Sequence, residues 1–145
     1  MHDRFDLTAA KEMSKMALPR PREPDALRPR ATVEVSRADA VTVLTARGEL
    51  DSAITGPLAD LLTGEFERRP QGLILDASAV TFCSARALAI LVNAGAEAHA
   101  AGVPLAIVTR QRAILRPATA LGLERVLPVH GDLADALEHL ARVSP

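Results

Sequence analysis

The chain has 145 residues, of which 48% are hydrophobic and 24% charged, so it is long enough to form one domain with a packed core. A formal net charge of −1 and an aromatic content of 2% argue against nucleic-acid binding, which relies on basic surfaces and stacking side chains. Cys83 is the only cysteine, which excludes an intramolecular disulfide and a cysteine-based metal cluster.

Residues 1–30 have the composition of a disordered or loosely ordered tail. Prolines alternate with arginines between positions 19 and 30, and large apolar side chains are few. Thr8 and Ser14 are candidate phosphorylation sites in this tail, although an unmodified tail is the favoured interpretation. The tail lacks the apolar core of a secretion signal, and no uncharged apolar run reaches the roughly 18 residues of a membrane span. We therefore expect a cytoplasmic protein without membrane association, whose folded domain covers residues 31–145.

The first elements of the domain are predicted to be two strands and a helix. Alternation in residues 32–36 and β-branched residues in 41–46 predict the two strands of a hairpin, with a polar break between them. Ser52 is the predicted N-cap of the first helix, although Thr55 is an alternative start. Leucines and Phe66 then repeat at helical spacing and predict a buried stripe.

The centre of the chain is predicted to be a buried strand that leads directly into a helix. Leu73–Leu75 is continuously apolar, as expected of a strand covered on both faces of a sheet. Polar residues from Asp76 onward interrupt this run, and Ser84 has the chemistry of a helix N-cap. An alanine-rich helix follows and is predicted to end at Gly102.

The remaining residues predict two more strands and two more helices. The strands are expected at 103–108 and 127–130, and a short helix near Pro117 lies between them. Asp132 is the predicted N-cap of the final helix. Strands that alternate with helices after an opening hairpin predict an α/β fold, with a mixed, largely parallel five-stranded sheet and about four helices packed mainly on one face.

Two motifs carry a resemblance to a known family. Gly48-Glu-Leu-Asp51 follows the second strand, and Asp76-Ala-Ser-Ala-Val-Thr-Phe82 leads into the alanine-rich helix. The pattern resembles the STAS domain of bacterial anti-sigma factor antagonists, and the element order matches from about Thr32 to Arg142. The resemblance implies a STAS-like fold and a non-enzymatic regulator that binds an anti-sigma factor and so frees a sigma factor for transcription.

The resemblance also implies a phosphoswitch, from which this sequence departs. In the family, the loop before the helix reads Phe, any residue, Asp, Ser, a small residue, Gly and Leu, and the partner anti-sigma factor is a serine kinase that phosphorylates the Ser. When Phe82 is aligned with the Phe, Ser84 falls on the Asp and Ala85 on the acceptor. Ser84 is therefore either a shifted phosphoacceptor or the helix N-cap, and the N-cap is favoured. The sequence thus predicts that phosphoregulation is lost or shifted.

The predicted docking surface combines the motifs with one line of residues on the alanine-rich helix. At 100° per residue, Arg86, Ile90, Asn93 and Glu97 lie on one line of this helix, and nearly every other position is Ala, Leu or Val. So thin a polar face predicts that either the N-terminal tail or a partner covers the helix. The predicted partner-binding residues are Glu49, Asp51, Ser52, Ser78, Cys83, Ser84, Ala85, Arg86, Ile90, Asn93 and Glu97.

Other chemistry is weighed against this interpretation. Asp51 and Asp76 are predicted to border the loop that holds Ser84, but strand-end carboxylates usually serve turns and caps rather than catalysis. Cys83 precedes a helix N-terminus, so a redox role is an alternative to a buried structural thiol. The histidines lack metal-ligand spacing, and we expect no catalytic site, metal or cofactor. The alternative function is a sensor or accessory STAS domain that binds a small ligand or a transport or lipid-handling complex; the oligomeric state is open.

Overall fold

The computed structural model describes residues 30–143. Apart from Arg30, the predicted tail, with Thr8 and Ser14, lies outside the described residues. The elements in chain order are β1 (Ala31–Ala38), β2 (Val41–Leu50), α1 (Ser52–Glu67), β3 (Gly72–Cys83), α2 (Ala85–Ala101), β4 (Leu105–Val108), α3 (Arg112–Ala120), a 3₁₀ turn (Leu123–Arg125), β5 (Val129–His130) and α4 (Leu133–Val143).

The five strands lie side by side in chain order. β1 runs antiparallel to β2, and β2, β3, β4 and β5 are mutually parallel. The β1–β2 hairpin turns through Asp39 and Ala40, whose φ angles of 53° and 69° are those of a two-residue turn that matches the twist of the strands. The prediction of a mixed, largely parallel sheet is therefore confirmed.

Helices cover the two faces of the sheet unequally. The larger core packs α1, α2 and α3 against one face, where alternate residues such as Val33 and Leu44 point. A smaller core on the other face joins α4 to β3 and β4 through Ile74, Ala136 and Leu140. The prediction of helices mainly on one face is confirmed, and no helix within residues 30–143 is long and apolar enough to cross a membrane.

A buried ionic cluster ties α1 to the hairpin. Glu65 of α1 is 3% exposed, and its Oε1 accepts a hydrogen bond of 3.0 Å from the hydroxyl of Thr42. The guanidinium of Arg37 donates to both carboxylate oxygens of Glu65, from Nε at 3.3 Å and from Nη2. We call Arg37, Thr42 and Glu65 the buried cluster. It fixes the C-terminal half of α1 over β1 and β2.

The strand β3 runs further than the polar residues after Leu75 suggested. β4 pairs with β3 only as far as Asp76, which lies opposite Val108, whereas β2 continues to pair with β3 up to Cys83. The last part of β3 therefore has a neighbour on one side only, and Ser78 and Phe82 are exposed there. Polar residues in this sequence mark the loss of one neighbouring strand rather than the end of β3.

Candidate partner-binding site

The end of β3 is fastened to β2 and to α2 through Ser84. The backbone N–H of Ser84 donates to the carbonyl of Leu50 at 2.9 Å, and its hydroxyl accepts from the N–H of Ala87 at 3.0 Å. Ser84 has extended backbone angles and is the N-cap of α2. Ala85 is the first helical residue and is exposed. The hydroxyl of Ser84 is therefore committed to the helix, while the neighbouring exposed position carries no hydroxyl.

The end of β2 and the turn after it hold two carboxylates beside this junction. The Oδ1 atom of Asp51 accepts a hydrogen bond of 3.0 Å from the N–H of Ala53 and so caps α1. Asp51, rather than the predicted Ser52, is thus the N-cap, and Ser52 is the first residue of the helix. Glu49 lies opposite Phe82 in the pairing of β2 with β3, and Leu50 lies opposite Cys83. The carboxylates therefore lie one strand away from the start of α2.

Arg30 bridges both carboxylates of the turn. Its Nη1 atom is 3.8 Å from Oε1 of Glu49 and 3.9 Å from Oδ2 of Asp51. The side chain of Arg30 is 73% exposed and that of Glu49 is 49% exposed, so water screens the interaction. We call Arg30, Glu49 and Asp51 the exposed cluster.

The backbone of the turn depends on Gly48, whose φ is +89°. A β-carbon at this position would collide with the backbone carbonyl oxygen of Arg30, which accepts a hydrogen bond from the N–H of Glu49 at 2.6 Å. Only glycine allows both the left-handed backbone and this close approach. Gly48 therefore positions the two carboxylates.

Phe82 is a candidate contact residue in the loop from Ser78 to Arg86, which the sequence predicts to take part in docking, although Phe82 was not among the individually predicted residues. Its side chain is 48% exposed at the end of β3, beside Glu49. An exposed aromatic residue next to a helix start is a typical anchor in protein interfaces. The sequence indicated that Phe82 is exposed, because it lies between the polar Thr81 and the capping Ser84. Few other aromatic residues occur in this segment.

The exposed face of α2 is broader than the single predicted line. Arg86, Asn93 and Glu97 are exposed as predicted, and Ile90 is partly buried against the core. Small residues and one histidine widen the face, because Ala89, Ala96, His99 and Ala100 are also exposed. Between α1 and α2 lies an open groove of about 440 Å³, lined by Ala59, Leu62, Thr63, Ile90, Asn93, Ala96 and Glu97.

Asp76 does not border the junction with Asp51, and this prediction was wrong. Asp76 lies in the middle of the sheet, paired with Thr45 on one side and Val108 on the other. Its Oδ1 atom accepts from the N–H of Ser78 at 3.1 Å and from the hydroxyl of Ser78 at 2.6 Å. Asp76 therefore orders the exposed part of β3, and the two aspartates form no common site.

Cys83 is held as a neutral thiol. Its residue is partly buried, and its Sγ donates to the carbonyl of Ser84 at 3.7 Å. Burial raises the pKa of the Cys83 thiol to about 11, so the thiolate expected beside a helix N-terminus is not favoured. Burial therefore favours the structural thiol over the alternative redox role. Within residues 30–143, no group of three or more His, Cys, Asp or Glu side chains is arranged to hold a metal ion.

The sequence of this chain matches a family model and is similar to known proteins. The family model of the STAS domain matches residues 32–136. The anti-sigma-F factor antagonist RsfA of Mycobacterium tuberculosis is 31% identical over 105 residues, which cover 71% of this chain and 82% of RsfA. The anti-sigma-F factor antagonist RsfB of the same organism is 31% identical over 106 residues, which cover 73% of this chain and 86% of RsfB.

A solved structure is also similar. The crystal structure of an anti-sigma factor antagonist from Mycobacterium paratuberculosis superimposes with a TM-score of 0.68 at 27% identity. The superposition covers 77% of this chain and 94% of that protein. The similarity thus extends over about three quarters of this chain.

Proposed function

We propose that this chain, which belongs to the STAS domain family, is an anti-sigma factor antagonist that binds an anti-sigma factor and so frees a sigma factor for transcription. The observation that carries the proposal is the junction of β3 with α2. There an exposed Phe82, the Ser84 cap and the exposed Ala85 lie beside the carboxylates of Glu49 and Asp51. We propose no enzymatic step, and sigma factor control places the action in the cytoplasm.

The binding surface would combine the junction with the exposed face of α2. Phe82 supplies an apolar anchor at the junction, and the groove between α1 and α2 supplies a concave surface along α2. Exposed alanines on α2 allow the partner's backbone to approach closely. The alternative of a ligand-sensing or accessory domain is less well supported, because the similar proteins are named as antagonists.

Regulation by phosphate at this junction would be lost. A phosphoserine carries roughly −1.5 to −2 charges, which a helix N-terminus accepts while a docked partner is repelled. Ala85 has no hydroxyl, and the hydroxyl of Ser84 already accepts from Ala87. The antagonist would therefore remain competent to bind whether or not the anti-sigma factor is an active serine kinase.

Calorimetric titration against each purified anti-sigma factor of the source organism tests the proposal. We expect one of them to bind, and we expect Ala85→Glu to weaken that complex roughly ten-fold or more by placing negative charge at the junction. Ala141→Glu is the matched control, because Ala141 is exposed near the C-terminus of α4, next to Leu140, which lies against Gly72 at the start of β3. Absence of binding to every anti-sigma factor would refute the proposal.

Phosphosite mapping tests the regulatory part separately. After incubation with the bound anti-sigma factor and ATP, mass spectrometry is expected to find no phosphate on Ser84. Phosphate on Ser84 would instead establish a shifted switch, and the Ser84→Ala variant would then lose the modification.

A further inference from the structure

The helix α3 carries an exposed, positively charged surface. Arg110 precedes the helix, and Arg112 and Arg116 lie one turn apart on it; all three side chains are exposed. At 100° per residue, Arg112 and Arg116 point away from Ile114 and Ala118, which bury the opposite side of α3 in the core. The helix therefore presents two guanidinium groups to solvent without any role in packing.

These arginines are not neutralised by their surroundings. The segment 109–120 contains no Asp or Glu, although residues 30–143 as a whole carry eleven Arg against thirteen Asp and Glu, a net charge of −2. Within residues 30–143, neither Arg112 nor Arg116 forms an ion pair or a side-chain hydrogen bond. Like charges one turn apart on a helix repel each other, and an acidic partner would remove this repulsion.

The surface is continuous with the junction described above. The side-chain amide of Gln111 donates from Nε2 to the carbonyl of Ser78 at 3.0 Å, which fastens the start of α3 to the exposed part of β3. Nε of Arg110 donates to the carbonyl of Gly131 at 3.1 Å and so holds the segment before α3 against the loop after β5. A partner seated on Ser78 and Phe82 would therefore reach α3 without a change in the fold.

We infer that Arg112 and Arg116 extend the docking surface and contact an acidic segment of the anti-sigma factor. Arginine side chains match carboxylates with paired, charge-assisted hydrogen bonds, and free guanidinium groups are available for them. This inference rests on the proposed function, because it specifies the charge of the same partner. Opposite charges across the edge of an interface mainly accelerate association.

The test uses the full chain and the anti-sigma factor that binds in the titrations above. We expect the double variant R112E/R116E to weaken binding roughly ten-fold at low salt, mainly through a slower association rate. The difference from the wild type is expected to shrink as NaCl is raised, because salt screens exposed charges. The matched control is R68E/R142E, which makes the same change in net charge at the C-termini of α1 and α4, outside α3 and the junction.

The outcomes separate the inference from the proposed function. Equal affinity and association rate for R112E/R116E and the wild type would overturn the inference while leaving the proposed function intact. An equal loss in R68E/R142E would also overturn it, because net charge alone would then explain the effect. If the wild type binds no anti-sigma factor, both fail. Thermal unfolding of each variant establishes that the fold is retained, as expected for exposed positions.

Discussion

Two ionic clusters in the same domain differ mainly in their access to water. In the buried cluster, the side chains of Arg37 and Glu65 are 14% and 4% exposed and in direct contact. In the exposed cluster, the side chains of Arg30 and Glu49 are 73% and 49% exposed, and the charged atoms are 3.8 Å apart. A buried charge depends on its partner because water cannot replace it, whereas an exposed carboxylate exchanges partners at little cost. The first cluster therefore holds the fold, and the second is available for binding.

The largest effect is expected at the buried cluster. Glu65→Gln removes a charge that compensates Arg37 in a site nearly closed to water, so we expect the free energy of unfolding to fall by about 3 kcal/mol. Urea denaturation measures this loss. The exposed Glu67→Gln is the matched control, and it is expected to change stability by less than about 0.5 kcal/mol.

A double replacement distinguishes charge burial from loss of packing. Arg37→Met combined with Glu65→Leu removes both charges and keeps apolar volume, but it leaves the buried hydroxyl of Thr42 without the Glu65 acceptor, so we expect it to recover part of the lost stability. A double variant as unstable as Glu65→Gln would contradict our account of the buried cluster.

A smaller effect is expected at the half-buried cap of α2. Ser84→Ala removes the acceptor for the N–H of Ala87, and we expect a loss of about 1 kcal/mol in chemical denaturation. Ser84→Asp keeps an acceptor and is expected to retain the stability of the wild type. Ser52→Ala is the control, since Asp51 rather than Ser52 caps α1. A loss at Ser52 equal to that at Ser84 would contradict the assignment of the caps.

The pair of His130 and His139 predicts that folding stability depends on pH, with a smaller effect than the loss of the Ser84 cap. The rings of His130 and His139 are 4.8 Å apart, and burial, then His130 and Arg142, lower the pKa of His139 below its usual 6.5. The folded state therefore binds a proton less readily than the unfolded state, so stability is fully present above pH 6.5 and falls as the pH drops through the lowered pKa.

Thermal unfolding between pH 5 and 8 measures this dependence. We expect His139→Gln to flatten the pH profile. A profile that rises toward acid would contradict the direction of the pKa shift.

The smallest effect on stability is expected at the exposed cluster. Arg30→Gln removes both long ion pairs but leaves the backbone hydrogen bond from Glu49 to Arg30, so we expect a change below about 0.5 kcal/mol. Urea denaturation in low and high salt checks this expectation. A loss above about 1 kcal/mol would break the comparison, because the exposed cluster would then be part of the scaffold.

Features set by neighbouring residues were predictable from the sequence. Ser84 and Asp132 were predicted as N-caps, and both side chains accept a backbone N–H within the first turn of their helices. Gly102 was predicted to end α2, and it adopts the left-handed angles of a helix end, with φ of 70°. Alternating and continuous apolar runs likewise predicted the strands. These signals act over a few residues, so no knowledge of the fold is needed to interpret them.

Features that depend on distant neighbours were not predictable. Arg37 and Glu65 are separated by 28 residues, and nothing in their local sequences indicates that they meet. Asp76 was interpreted as the end of a strand because the sequence does not show that β4 stops beside it. The breadth of the exposed face of α2 depends in the same way on what packs against it. The residues assigned to partner binding stay predictions.

Gly48 restricts the alignment of the edge strand β1 with β2. Gly48 lies opposite Ala31, at the point where the carbonyl of Arg30 leaves no room for a side chain. If β1 slid by one residue along β2, Arg47 or Glu49 would occupy that position, and Val33 would turn from the core toward solvent. The glycine thus acts as a stop that permits a single alignment of the hairpin. The backbone that carries Glu49 and Asp51 therefore keeps its position when these carboxylates exchange partners.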